Sequence, residues 1–123
     1  MIRIDTGSPV PLNEQIKAGL KGLVARGLLK PGDSIPSIRT LAETLKVNPN
    51  TVARAVRELG AEGFIEVKRG NGAFVAAAGP RHAKDGLADA RQDLREALTL
   101  ARRGGLAWDD IEALAREARR EEP

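Results

Sequence analysis

The stretch PSIRTLAETLKVNPNTVARAVRELGAEGFIEVKRGNGAFVA, residues 36–76, decides how the chain folds. Ser37 follows Pro36 and precedes Ile38, Leu41, Ala42 and Leu45, which recur at helical spacing. A serine hydroxyl accepts one of the orphan N–H groups at a helix start, so a short helix runs from about Ser37 to Leu45. Lys46-Val47 forms a tight turn. Asn48-Pro49 restarts the helix, because asparagine caps well and proline's missing N–H costs nothing at the first helical position. Val52, Val56 and Leu59 mark the buried face of this second helix, and Gly63 closes it. Phe64–Lys68 then alternates, with Ile65 and Val67 on the buried side and Glu66 and Lys68 opposite, as a half-buried strand does. Arg69-Gly70-Asn71-Gly72 has the composition of a hairpin turn, and Ala73–Ala76 is the return strand.

Two short helices joined by so tight a turn pack at a steep angle, and the second can enter the major groove of B-DNA. Such a unit needs a small residue where the helices cross, here Ala42. It also needs an aliphatic anchor ten positions on, here Val52. Lys46 stands where glycine would relieve a positive φ, while Leu45 and Val47 supply apolar anchors on either side. This segment alone fits an ordinary helical hairpin equally well. The basic, glycine-rich hairpin that follows turns it into a winged helix. Arg69 offers a guanidinium to phosphates or a narrow minor groove, and Gly70 and Gly72 let the backbone approach DNA closely.

On the N-terminal side, residues 1–11 form an arm in which Pro9 and Pro11 forbid a helix. Leu12, Ile16, Leu20 and Leu23 then form one face of an amphipathic helix that ends near Gly27. Lys30–Ser34 is a turn built on Pro31-Gly32. On the C-terminal side, Gly79-Pro80 has the composition of a linker. Beyond it Leu87, Leu94, Leu98 and Ala101 make a narrow apolar stripe. Gly104-Gly105 breaks the chain, and Ile111, Leu114, Ala115 and Ala118 line a last helix that begins with Asp109-Asp110. His82 reads as a surface residue of the linker.

Among 123 residues there is no cysteine, one histidine and three aromatic residues, Phe64, Phe74 and Trp108. The core must be aliphatic. No disulfide, metal or cofactor site is expected, and no nucleophile–base pair or phosphate loop points to an enzyme. Residues 1–78 carry 11 Lys/Arg against 7 Asp/Glu, whereas residues 79–123 carry 9 against 10, so the basic excess lies with the winged helix. The N-terminus lacks the apolar stretch of a signal peptide and no run spans a bilayer, which points to a soluble, cytoplasmic protein without a membrane partner.

Three groups of residues, Pro31–Arg39 with Leu41-Ala42, Val47–Val52 with Glu62-Gly63, and Arg69–Val75, together resemble the N-terminal domain of GntR-family bacterial transcriptional regulators. The likeness covers about residues 9–77. Ile35 replaces the usual leucine, and Val56 and Gly60 replace a usual aromatic and a usual polar residue or alanine. The short remainder, and the Asn48–Val52 motif, are similar to the YtrA-type branch of that family.

The resemblance implies a mainly α fold with a small β-hairpin. A winged helix-turn-helix over 9–77 would be followed by a C-terminal two-helix dimerisation region over 81–123. It implies double-stranded DNA as partner, as a palindromic operator bound by a homodimer, and a repressor's action. It leaves a small-molecule effector open, and places the protein on the nucleoid when operator-bound. The expected DNA contacts are Ser37, Arg39, Asn48, Pro49, Asn50, Thr51, Arg54, Lys68, Arg69, Gly70, Asn71 and Gly72. Ser37 and Asn48 are first of all helix caps. Asn50 and Thr51 have no evident structural task, and the N-terminus of their helix itself attracts phosphate. The expected dimer contacts are Leu87, Leu94, Leu98, Trp108, Ile111 and Leu114, because two short helices with one stripe each cannot form a core alone. The competing use of a winged helix is as a protein-interaction module, since fold alone does not decide function.

Overall fold

In the computed structural model, which describes residues 2–121, the chain forms helices α1 (Leu12–Ala25), α2 (Ile38–Leu45), α3 (Pro49–Ala61), α4 (Gly79–Arg103) and α5 (Trp108–Glu121). Strands β1 (Ser34–Ile35), β2 (Ile65–Lys68) and β3 (Gly72–Val75) make one antiparallel sheet in the order β1-β3-β2. Two compact units are present, residues 1–84 and residues 85–123. No helix among the described residues is long and apolar enough to cross a membrane.

The core of the first unit is aliphatic but for Phe64. Ile16, Leu20 and Val24 of α1, Leu41 and Ala42 of α2, and Val52, Ala55, Val56 and Leu59 of α3 are buried together with Ile35, Phe64, Ile65, Val75 and Ala83. The caps form as the sequence requires. Thr40 donates its N–H to Ser37 Oγ at 3.1 Å, and Asn50 donates its N–H to Asn48 Oδ1 at 2.8 Å, with Pro49 opening α3. Between the helices Lys46 takes φ 58°, the one non-glycine left-handed residue among those described. That conformation costs a side-chain-bearing residue about 1 kcal/mol. The N–H of Val47, which meets Ala42 O at 3.1 Å, and the half-buried Leu45 and Val47 hold it in place.

Three sequence expectations are corrected. The sheet has a third strand: Ser34 and Ile35 pair with Phe74 and Ala73 of β3 and lie beyond the turn at Pro31-Gly32. Ile65 and Val67 alternate as expected, but Val67 is 63% exposed. Ile65 pairs with the buried Val75, whereas Val67 pairs with Ala73 one step further toward the hairpin tip, where the sheet opens to solvent although α3 comes near at Gly60. Gly79-Pro80 is not a linker but the first turn of α4, and His82 is a half-buried helical residue.

Gly79 is buried, and a Cβ built there would lie 2.9 Å from Val75 Cγ1 and 3.3 Å from Phe64 O. Gly79→Ala gains helix propensity but forces two buried neighbours apart, and overpacking of this kind costs about 1–3 kcal/mol. Urea unfolding of this variant is expected to give a net loss of about 1 kcal/mol; stability equal to or above wild type would mean that this close approach does not exist.

Candidate nucleic-acid interface

With Val52, Ala55, Val56 and Leu59 turned inward, the 3.6-residue period of α3 leaves Asn50, Arg54 and Arg57 on one outward stripe, and all three are exposed. Thr51, next to the stripe, is half-buried. Asn48 and Pro49 start the helix at an exposed end beside Asn50, where Asn48 accepts the N–H of Asn50 through its side chain and that of Thr51, at 2.9 Å, through its carbonyl.

The wing follows from its own turn chemistry. Gly70 and Gly72 take φ 81° and 91°, with open space where a Cβ would stand, and Asn71 donates its N–H to Lys68 O at 2.9 Å. Arg69 is exposed at the tip. The Lys68 ammonium lies 5.1 Å from the centre of the Phe74 ring, a cation–π contact that holds its stem along the sheet. Between wing and α2 lies an open cleft of about 640 Å³ that brings together Ser37, Arg39, Asn71 and Gly72 of the expected set. Its apolar floor includes Val56 and Val67, so the exposure of Val67 is part of this cleft. Asn48, Pro49, Asn50, Thr51, Arg54, Lys68, Arg69 and Gly70 do not line it.

The sequence reading missed the electrostatic network behind the α3 stripe. Asn13 and Lys17, four residues apart on α1, are buried. Asn13 Nδ2 donates to Glu58 Oε1 at 3.1 Å, and Lys17 Nζ donates to Glu58 Oε2 at 3.0 Å and pairs with Glu62 at 2.6 Å. Lys21 Nζ meets Glu62 at 2.8 Å, and Arg54 Nε donates to Glu58 Oε1 at 2.9 Å. The hydrogen bond to Glu62 raises the Lys17 ammonium above the usual lysine range; burial opposes this, and Glu58 adds to it. The Lys17 and Arg54 donors hold Glu58 below the usual carboxylate range. Burial alone would raise Glu62, but Lys17 and Lys21 outweigh it and leave it lowered. The i, i+4 spacing of Arg54 and Glu58 is visible in the sequence. The partners on α1, more than 40 residues away, carry no local signal.

In the second unit Leu87, Leu94, Trp108 and Leu114 are each more than half exposed, while Leu98 and Ile111 are half-buried. The Arg102 guanidinium stacks on the Trp108 ring at 5.0 Å.

Residues 12–75 match the family described as bacterial regulatory proteins, gntR family. The chain belongs to the GntR family. Among GntR-type relatives, the HTH-type transcriptional repressor YtrA of Bacillus subtilis is 47% identical over 76 residues, 62% of this chain. The match spans only 58% of that repressor's own length. The HTH-type transcriptional regulator Rv1152 of Mycobacterium tuberculosis is 34% identical over 109 residues, covering 89% of this chain and 86% of that protein. Among solved structures, the GntR-family transcription factor YtrA from Sulfolobus acidocaldarius superposes with a TM-score of 0.62 at 39% identity, over 80% of this chain and 97% of that one. A family of regulatory proteins sets the enzymatic reading aside.

Lys17→Met leaves two partly buried carboxylates short of a cation and is expected to destabilise the first unit by about 1–2 kcal/mol. The sign with pH follows from the shifts. Glu58 and Glu62 titrate below 4.5 when folded, so their contribution is complete above pH 4.5 and lost as pH falls through the lowered values. Lys17 titrates above 10.5, so its contribution holds below pH 10.5 and is lost only as pH rises past the raised value. The gap between wild type and variant in urea melts is therefore widest between those limits and narrows in acid. A gap that persists unchanged in acid would rule out the carboxylates as its source.

Proposed function

We propose that this chain is a sequence-specific DNA-binding transcriptional repressor of the YtrA type that occupies a palindromic operator as a homodimer. The observation that carries the reading is the outward stripe of α3. Short polar and guanidinium side chains begin at an exposed, asparagine-capped helix N-terminus, on a helix held by its other face. In this reading residues 9–77 are the DNA-binding domain. Asn50, Thr51 and Arg54 meet base edges, while Ser37, Asn48 and Pro49 bring the two helix N-termini to phosphates. Arg39 on one side of the cleft, Asn71 and Gly72 on the other, and Lys68, Arg69 and Gly70 of the wing grip the backbone.

Residues 81–123 are the dimerisation region. Leu87, Leu94, Trp108 and Leu114 stand uncovered on a unit far too small to support a core of its own. A second copy buries them by two-fold symmetry, with Leu98 and Ile111 at the edge of the same surface, and such symmetry matches a palindrome. Repression then follows by occlusion of a promoter, in the cytoplasm and on the nucleoid. An effector small molecule would act through this DNA-binding form.

Fluorescence anisotropy on promoter and scrambled duplexes at two salt concentrations tests the DNA reading. Operator binding is expected to weaken steeply as salt rises. Arg39→Ala and Arg69→Ala should each weaken binding to both duplexes by about tenfold and flatten the salt dependence. Asn50→Ala should instead narrow the preference for the operator. Equal, salt-insensitive binding to both duplexes would favour the protein-interaction use of the wing.

For the tail, sedimentation of Leu94→Arg is expected to give a monomer where the wild type gives a dimer, because each copy would bury an unpaired guanidinium. A variant that still sediments as a dimer would move the interface elsewhere.

A further inference from the structure

Two arginines of the winged helix make the same local pair with a glutamate one turn on: Arg39 with Glu43 in α2, and Arg54 with Glu58 in α3. Their surroundings differ. Glu43 is 70% exposed and has Arg39 as its one hydrogen-bond partner among the described residues. A pair of that kind is remade continually in water and fixes nothing. The Glu58 side chain is only 29% exposed, and its carboxylate takes three donors. Asn13 and Lys17 reach it from the buried face of α1, at 3.1 Å and 3.0 Å, and Arg54 Nε reaches it from the solvent side at 2.9 Å. The carboxylate is thus clamped to the core before Arg54 meets it.

The atom that Arg54 uses matters. Guanidinium donors form a rigid planar fork. With Nε given to Glu58, the two terminal nitrogens remain, and among the described residues they have no protein acceptor. Arginine otherwise gives up much side-chain freedom on meeting a ligand, and a fork set in place beforehand gives up less. The acceptor pair that fits such a fork in a major groove is the O6 and N7 of guanine.

We propose that Glu58 is a positioning residue: anchored by Asn13 and Lys17 of α1, it holds Arg54 so that its terminal nitrogens read one guanine in each half of the DNA site. The proposal rests on the DNA-binding reading given above. It makes α1, which carries none of the expected DNA contacts, part of the specificity apparatus. Glu43, by contrast, leaves Arg39 free to follow the phosphate backbone.

The test uses the full chain and a duplex obtained by in vitro selection with the wild-type protein. Each guanine is replaced in turn by 7-deazaguanine, which lacks the N7 acceptor. Wild type is expected to lose about tenfold in affinity at one guanine per half-site. Glu58→Met keeps the length and packing of the side chain but removes the acceptor. It should bind the selected duplex about tenfold more weakly, bind scrambled duplex as wild type does, and show no penalty at the deaza position. Arg54→Ala should erase the same penalty, Glu58→Gln, which keeps an acceptor oxygen, should restore part of it, and Glu43→Ala should leave it intact. A purely structural role for Glu58 would instead lower affinity for both duplexes and keep the deaza penalty, which overturns the proposal. So would a Glu58→Met protein indistinguishable from wild type. If Glu58→Met does not fold, as seen by circular dichroism, Glu58→Gln decides: an unreduced deaza penalty overturns the proposal, a reduced one upholds it. A penalty that tracks phosphate neutralisation instead of any guanine assigns Arg54 to the backbone and overturns it too. Wild type that selects no sequence at all defeats the DNA-binding reading itself, an outcome distinct from all of these.

Discussion

Everything in the first unit depends on the burial of one face of α3. Val52, Ala55, Val56 and Leu59 are all within the core, and α3 packs against α1, α2 and β2 alike. Phe64 apart, that core consists of aliphatic side chains, and on α3 three of the four are no larger than valine. Small side chains allow close helix approach but bury modest area each, so many must interlock to reach a useful total. A helix fixed on three sides has one side left, and the 3.6-residue period decides which residues occupy it. The chemistry displayed by Asn50, Arg54 and Arg57 is therefore a consequence of packing. Substitutions on the inner face would rotate or loosen the display without touching a displayed atom.

The second support of α3 is electrostatic. An ammonium group as buried as that of Lys17 would be costly alone, since taking a charge out of water costs several kcal/mol. Here Glu58 and Glu62 partner it, Asn13 fills a further lone pair, and no buried side-chain polar atom among the described residues is left without a hydrogen bond. The network trades stability for orientation. An apolar pair would pack α1 on α3 as tightly, but it would tell α3 nothing about its position along the axis of α1. Directional bonds from two α1 residues to one carboxylate do.

How much of this was legible in the sequence depended on the range of the interaction. Caps are written within three residues, so Ser37 and Asn48 announced both helix starts, and the left-handed turn at Lys46 followed from the spacing of Ala42 and Val52. The wing tip was legible from Gly70 and Gly72, because positive φ has few other hosts. Strand β1 was not: two residues carry no periodicity, and its pairing with Phe74 and Ala73 lies some forty residues on. Gly79-Pro80 misled for a related reason. The dipeptide has linker composition, yet proline is harmless in a first helical turn and glycine is there because Val75 leaves no room for more. Val67 shows that alternation assigns a face but does not say how far the cover extends. Of the candidate site, the residues that α3 displays were legible and their support was not, since Asn13 and Lys17 look like any solvated polar positions until α3 is laid beside them.

The poverty in aromatic residues has an optical corollary. There is no tyrosine, and the single tryptophan, Trp108, belongs to the second unit, where it is 54% exposed beneath the Arg102 guanidinium. Phe64 and Phe74, the only aromatic rings of the first unit, contribute almost nothing to emission above 300 nm. Near-ultraviolet light therefore sees one half of this molecule and passes through the other. Tryptophan emission reports the state of the tail helices free of any signal from the winged helix, and the ordinary practice of following a protein's unfolding by its intrinsic fluorescence would here follow residues 85–123 alone.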